Sequence, residues 1–256
     1  MPKYIYNHQK DTKDERDFKF HLHNSLTQVD KLPSSVDLRR GWLPDVLDQS
    51  SLGSCTANAT SNALRFLLKK ENKVDYQPSR LFIYYFTRLI EGTVNEDSGC
   101  LIRDVMKSVG QYGACSEHLL PYNIDQYTIE PNVQCQKAGS QHIKNFKYMS
   151  VDQNLISIKN ALAQGYPIIF GVSVYDSFES ESSIKTGNIP IPDTTKEQNL
   201  GGHCILLIAY DDYGKYFTFM NSWGTDVGQN GFFTLPYNYV LDPNLASDFW
   251  ICENYV

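Results

Sequence analysis

Four residues of this chain are of the types that together carry out nucleophilic acyl chemistry: Cys55, His203, Asn221 and Gln49. A thiol attacks well only after losing its proton, and the start of an α-helix, with its unpaired N–H groups and dipole, favours that loss. Cys55 stands at such a start. Ala59, Ala63, Phe66, Leu67 and Lys70 follow it at helical spacing, and Gly53-Ser54 precede it. Gln49, in Asp48-Gln49-Ser50-Ser51-Leu52-Gly53-Ser54-Cys55, offers an amide that could donate to an oxyanion beside the Cys55 N–H. Gly53 is expected to let that loop turn tightly. His203 opens the apolar run Cys204–Tyr210, and Asn221 closes the next run, Tyr216–Met220. With Asp211-Asp212-Tyr213 as the hairpin loop, the two would face one another on neighbouring strands. An amide oxygen there can hold one imidazole nitrogen and leave the other for the thiol. Trp223 would shield that bond from water.

Each of these residue types also has a plainer reading. A lone cysteine is more often buried filler, and Cys100, Cys115, Cys135, Cys204 and Cys252 are read so. His8, His21, His23, His118 and His142 are read as structural. Cys55 departs from that prior through its helix start and Gln49, and His203 through Asn221. The run Leu81–Phe86 reads as core, and the charged run Lys10–Lys19 as a solvated tail.

The elements that must position these residues fall into two halves. Helices are expected over 54–70, 78–90, 101–112 and 154–164, each with Gly, Ser or Pro at an end. Strands are expected over 167–174, 204–210, 216–220 and 231–235, where apolar, β-prone residues are bounded by turn residues. Residues 178–200 read as a long surface loop. A helical half followed by a β half is an α+β arrangement with a cleft between.

Composition narrows the partners. The chain has 256 residues, 41% hydrophobic and 20% charged, with a net charge of −6 and no basic stripe, so a nucleic-acid partner is disfavoured. No apolar run approaches the roughly 20 residues that span a bilayer. The polar start argues against a signal peptide, so an intracellular or virus-particle setting with mostly reduced thiols is expected. The six cysteines form no CxxC pair, and no metal or cofactor is expected.

Taken in order, these blocks resemble the papain-like cysteine peptidases, the cathepsin-like proteins among them, in a divergent branch found in microbes and viruses. In that family a His and an Asn follow the cysteine by roughly 130–150 residues. Here His203 lies 148 residues (203 − 55) and Asn221 166 residues (221 − 55) beyond Cys55. Leu32-Pro33-Ser34-Ser35-Val36-Asp37 is similar to the family's mature start. Gln49, Gly53-Ser54-Cys55, Gly202-His203, Asn221-Ser222-Trp223-Gly224 and Asn230-Gly231-Phe232 match its blocks. The chain differs at Leu52, Thr56 and Val227, where the family usually has a cysteine, an aromatic and a tryptophan.

The resemblance implies a two-lobed papain-like domain over 33–256, a helical lobe at about 45–150 and a β lobe at about 151–256. It implies a cysteine-type endopeptidase acting on protein or peptide substrates through a Cys55 thioacyl-enzyme, with His203 as acid and base. The thiolate–imidazolium pair is expected to form well below neutral pH. Gly99, Gly202 and Trp223 are implied at the substrate groove. Residues 1–32 are then a short pro-segment, an intramolecular inhibitor lying across the cleft of a zymogen. The same residues would serve a ligase or transamidase, and a catalytically silent peptide-binding scaffold is the other alternative.

Overall fold

Helix ends account for much of the first half of the chain. The computed structural model describes residues 4–12, 14–20, 32–71, 75–143 and 146–255. Helix α1 (Cys55–Lys70) is buried nearly all round, as a helix wedged between two halves must be. Helix α2 (Arg80–Glu91) starts where the Ser79 hydroxyl accepts from the Phe82 N–H, and stops at Gly92 with φ 75°. Helix α3 (Ile102–Tyr112) stops at Gly113. Helices α4 (Val133–Gly139) and α5 (Leu155–Ala163) are each capped by an asparagine, Asn132 and Asn154. Two short helices follow, α6 (Glu181–Thr186) and α7 (Tyr237–Leu241).

The strands are β1 (Ser35–Asp37), β2 (Lys147–Ser150), β3 (Ile168–Tyr175), β4 (Asn199–Asp211), β5 (Tyr216–Met220), β6 (Phe232–Pro236) and β7 (Ala246–Asn254). They form one antiparallel sheet in the order β2-β7-β3-β4-β5-β6, with β1 added to β4. The result is the α+β, two-lobed arrangement expected. One apolar cluster gathers α1, α2 and α3 against Cys204, Leu206 and Ile208 of β4. A second fills the β half around Phe170, Phe217, Phe219 and Trp223. Because α1 packs on β4, the start of α1 is pressed against the strand that carries His203.

Several expectations need correction. Residues 178–200 are not a loop throughout: they hold α6 and the first residues of β4. Ser180 caps α6 and Gly187 closes it, so two single-residue signals were enough to fold a polar stretch. His203 lies inside β4, not at its start. Strand β7 was not foreseen, since its alternation is broken by Asp248 at φ 59°. Lys10–Lys19 is not simply a solvated tail. The Arg103 Nη2 of α3 pairs with Asp17 at 2.6 Å, and the Trp250 Nε1 donates to Asp11 at 3.0 Å.

The six cysteines are free and buried. Among the described residues no helix is long and apolar enough to cross a membrane, and no cluster of His, Cys, Asp and Glu could hold a metal ion. His21 and His23 lie outside the described residues.

Candidate active site

Cys55 is the first residue of α1, as its sequence context required. Backbone N–H groups of Cys204, Thr56 and Cys55 itself act on its sulfur and pull the thiol's pKa down. The Cys204 group is the informative one, since Cys204 is the neighbour of His203. Ser54 does not cap α1 with its side chain. Its hydroxyl meets the Tyr122 hydroxyl at 2.6 Å and takes the Asn58 amide at 3.1 Å.

His203 Nε2 and Asn221 Oδ1 are 2.9 Å apart, and Nδ1 makes no hydrogen bond. The carbonyl-type oxygen of Asn221 accepts, so Nε2 carries a hydrogen and Nδ1 is the acceptor of the neutral ring. The Ser222 N–H also donates to Asn221 Oδ1, at 2.8 Å, which fixes the amide's orientation. The two residues do not meet as cross-strand partners. The β4–β5 turn is Asp212–Lys215, Asp211 pairs with Tyr216, and a bulge between Leu207 and Ala209 shifts the register. Asn221 lies beyond the last pair, Leu206 with Met220, and reaches His203 from past the end of β5. The indole of Trp223 stacks on the imidazole, centroids 5.4 Å apart and 18° between planes.

Gln49 is fully buried in the loop before α1. Its Oε1 accepts from the Ser222 hydroxyl at 2.6 Å, and its Nε2 donates to Leu52 O at 3.1 Å. An amide nitrogen carries two hydrogens, so one remains for a ligand. Backbone bonds from Gln49 N to Ser222 O and from Gly224 N to Leu47 O lock this loop to the Asn221–Trp223 segment. Gly53 is not needed for a tight turn, since the positive φ of this loop belongs to Ser50. It is needed for close approach: a Cβ there would stand 2.3 Å from Asn7 Nδ2.

That approach comes from the N-terminal arm, which runs through the cleft. Tyr4 stacks on Trp223 at 4.8 Å, and Tyr6 meets the edge of His203 at 5.5 Å. The Tyr6 hydroxyl donates to Glu179 Oε1. Asn7 Nδ2 donates to Asp97 O at 2.7 Å, and the His8 N–H donates to Gly202 O at 3.0 Å. The three groove residues implied by resemblance all touch the arm. A Cβ on Gly99 would lie 2.3 Å from Asn7 O, and one on Gly202 would lie 2.1 Å from His8 O. His8 is therefore no ordinary structural histidine.

Covering the cleft changes its electrostatics. Burial pushes the Cys55 thiol up to about 12, against the helix-start N–H groups that pull it down. Burial also pushes His203 down to about 4, against the Asn221 bond that pulls it up. Both shifts favour the neutral forms beneath the arm, against the thiolate–imidazolium pair expected from the sequence. Desolvation here outweighs the favourable N–H groups because neither ring nor thiol reaches water.

Sequence reasoning missed the supports of the site. Asp97 takes the Gly53 N–H on both oxygens at 3.0 Å and also the Tyr84 hydroxyl. Arg80, almost wholly buried, pairs with Glu117 at 2.6 Å, donates to Asp48 O at 2.9 Å and covers the Tyr122 ring at 3.6 Å. A charged residue opening the apolar α2 was the available signal for Arg80. Nothing comparable marked Asp97, Tyr4, Tyr6 or Glu179.

A model described as papain family cysteine protease matches residues 32–249. A peptidase C1-like protein of Acanthamoeba polyphaga mimivirus is 40% identical over 230 residues, covering 85% of this chain and 73% of that one. A cathepsin B-like protein, CP2, of Giardia intestinalis is 25% identical over 225 residues, covering 82% of this chain and 71% of its own. Among solved structures, xylellain, a cysteine protease from Xylella fastidiosa, matches with a TM-score of 0.90 at 37% identity, covering 98% of this chain and 97% of that chain.

Proposed function

The chain belongs to the papain family of cysteine proteases and is a cysteine peptidase, and on that footing we propose that it hydrolyses peptide bonds through Cys55 once its N-terminal arm has left the cleft. The observation that carries the reading is the His203–Asn221 bond at 2.9 Å, with Cys55 as the first residue of α1, the helix packed against Cys204, Leu206 and Ile208 of the strand that carries His203. The bond commits Nε2 and leaves Nδ1 as the nitrogen that exchanges a proton with the thiol.

With water admitted, the desolvation that keeps both groups neutral is relieved, and the proton moves from Cys55 to His203. The thiolate adds to the peptide carbonyl, forming a C–S bond and an oxyanion that the Cys55 N–H and the second Gln49 N–H receive. The imidazolium gives its proton to the departing amine as the C–N bond breaks. His203 then takes a proton from water, hydroxide adds to the thioester, and the acid and the thiol are released. Trp223 keeps the His203–Asn221 bond dry, and Gly99 and Gly202 offer the substrate backbone a close approach.

In this reading residues 1–32 are an inhibitory arm and 33–256 the peptidase domain, with a helical lobe at about 45–150 and a β lobe at about 151–256. Residues 1–3, 13 and 21–31 of the arm lie outside the described residues. The test compares hydrolysis of an unfolded protein substrate by the full chain, the 33–256 fragment and the Cys55→Ala chain. Gain in the folded fragment and loss in Cys55→Ala are expected. A folded fragment no more active than the full chain would remove the inhibitory role, and activity surviving in Cys55→Ala would remove the mechanism.

A further inference from the structure

Ser54 stands at the N-cap of α1, where a serine hydroxyl ordinarily accepts from a backbone N–H of the first turn, yet it makes no such bond. Its partners lie the other way. The Tyr122 hydroxyl is 2.8 Å from Gln49 O, and since a carbonyl only accepts, the phenol donates there. Its one hydrogen is then spent, so across the 2.6 Å contact it accepts from Ser54 Oγ. The Ser54 hydroxyl accepts in turn from Asn58 Nδ2 at 3.1 Å. Arg80 Nη1 lies 3.1 Å from Asn58 Oδ1, and a guanidinium only donates, which fixes the amide with its nitrogen toward Ser54. Every hydrogen in the chain therefore points one way, from Asn58 through Ser54 and Tyr122 to Gln49 O.

This chain braces the loop that carries Gln49, and the loop holds itself poorly. Ser50 sits at φ 57°, a left-handed conformation that is costly for a residue with a Cβ. The loop's own closing bond, from Leu52 N–H to Gln49 O, is long at 3.4 Å. The Tyr122 hydroxyl is the nearer donor on that carbonyl. It comes from a residue far along the chain, so it supplies what the loop lacks locally. Tyr122 is itself held in place, with the Arg80 guanidinium over its ring at 3.6 Å. Burial raises the phenol's pKa, so it keeps the hydrogen that it donates. Gln49, Ser54 and Asn58 are buried, and water competes little for these bonds.

We propose that Tyr122 is a positioning residue for the oxyanion site, its hydroxyl fixing the Gln49 backbone and with it the side-chain amide that meets the oxyanion. This rests on the reading that the Gln49 amide and the Cys55 N–H receive that oxygen. A slightly displaced donor loses much of its worth at the transition state, while peptide binding in the ground state is untouched. Losing the hydroxyl therefore lowers kcat about tenfold and leaves KM unchanged.

Tyr122→Phe, which keeps the ring beneath Arg80, is made in the full-length Tyr6→Ala chain, with Gln49 intact and with Gln49→Ala. Two reactions of Cys55 are timed by intact mass. Acetylation by p-nitrophenyl acetate passes through an oxyanion: the C–S bond forms, nitrophenolate leaves and the thiol proton goes to solvent. Alkylation by iodoacetamide displaces iodide and forms no oxyanion. Tyr122→Phe should slow acetylation about tenfold and leave alkylation unchanged, and with Gln49→Ala it should slow acetylation no further. Steady-state hydrolysis of a fluorogenic peptide should show the same loss in kcat at constant KM. Unchanged acetylation, alkylation that slows in parallel, or a second tenfold loss on top of Gln49→Ala would overturn the proposal. A Tyr6→Ala parent that is acetylated but cleaves no peptide counts against the peptidase reading, and the acetylation comparison then decides the role of Tyr122 by itself. A parent that is alkylated but never acetylated would overturn both.

Discussion

Asn221 holds His203 through Nε2 at 2.9 Å and is itself held by the Ser222 N–H at 2.8 Å, so the imidazole is oriented by a fixed amide. Removing that amide should cost catalysis more than binding. In a Tyr6→Ala chain, Asn221→Ala is expected to lower kcat about tenfold or more with little change in KM. Steady-state hydrolysis of a fluorogenic peptide checks this, and an unchanged kcat would detach Asn221 from the chemistry.

Gly202 separates two uses of the groove. A methyl group there would stand 2.1 Å from His8 O, a backbone atom that cannot swing aside. Gly202→Ala should therefore dislodge the arm and speed iodoacetamide labelling of Cys55. Peptide turnover should nevertheless fall, because a bound substrate backbone meets the same methyl. Faster labelling together with faster turnover would place the substrate elsewhere.

Arm docking is expected to depend on pH through Asp11. Burial, and then the charge of Asp248, push its carboxyl from 3.8 up to about 6, while bonds from Trp250 and the Arg103 N–H pull it down. Facing it are Asp248 and His8 on one side and Arg103, shared with Asp17, on the other. A carboxyl raised in the docked state favours docking when protonated. Its contribution is whole below about pH 4 and is lost as pH rises to about 6. Dividing the Cys55 labelling rate by that of Asp11→Asn cancels the titration of the thiol. The ratio should climb about tenfold or more from pH 4 to pH 6.5, and a flat ratio would exclude Asp11 as the cause.

Arg80 supports the loop that carries Gln49, through Asp48 O, Glu117 and the Tyr122 ring. Truncating one partner of so buried a pair strands the other charge, at a cost of about 3 kcal/mol. Arg80→Ala should lower the urea midpoint by about 1 M. A shift of a few tenths would assign Arg80 to the surface class of ion pairs.

Much of the site could be read from the chain because its signals are local. The start of α1, the Ser79 and Gly92 ends of α2 and the Asn154 cap of α5 are each written in one or two residues. Residue type and spacing singled out Cys55, Gln49, His203 and Asn221, and the structure joins His203 to Asn221 and Gln49 to the neighbouring Ser222. The His203–Asn221 contact was anticipated through the wrong register. A bulge at Leu207–Ala209 and a four-residue turn are cooperative outcomes of strand pairing that no single residue announces. The arm was the least legible part. Tyr4, Tyr6, Asn7 and His8 look like scattered polar and aromatic residues until the cleft that they fit has been built from residues far along the chain. The same holds for the neutral forms of Cys55 and His203, which depend on that fit.

The most direct test of a nucleophile kept latent by its own arm is intact-mass analysis after brief exposure to an epoxide thiol inhibitor. The full chain, Tyr6→Ala and Tyr6→Ala/Cys55→Ala are compared. Tyr6 is 9% exposed, and removing a ring so buried should raise the open population about 10- to 100-fold. The expected result is slow labelling of the full chain, rapid single labelling of Tyr6→Ala and none of the double variant. Labelling of the full chain as fast as Tyr6→Ala, or a label persisting without Cys55, would contradict it.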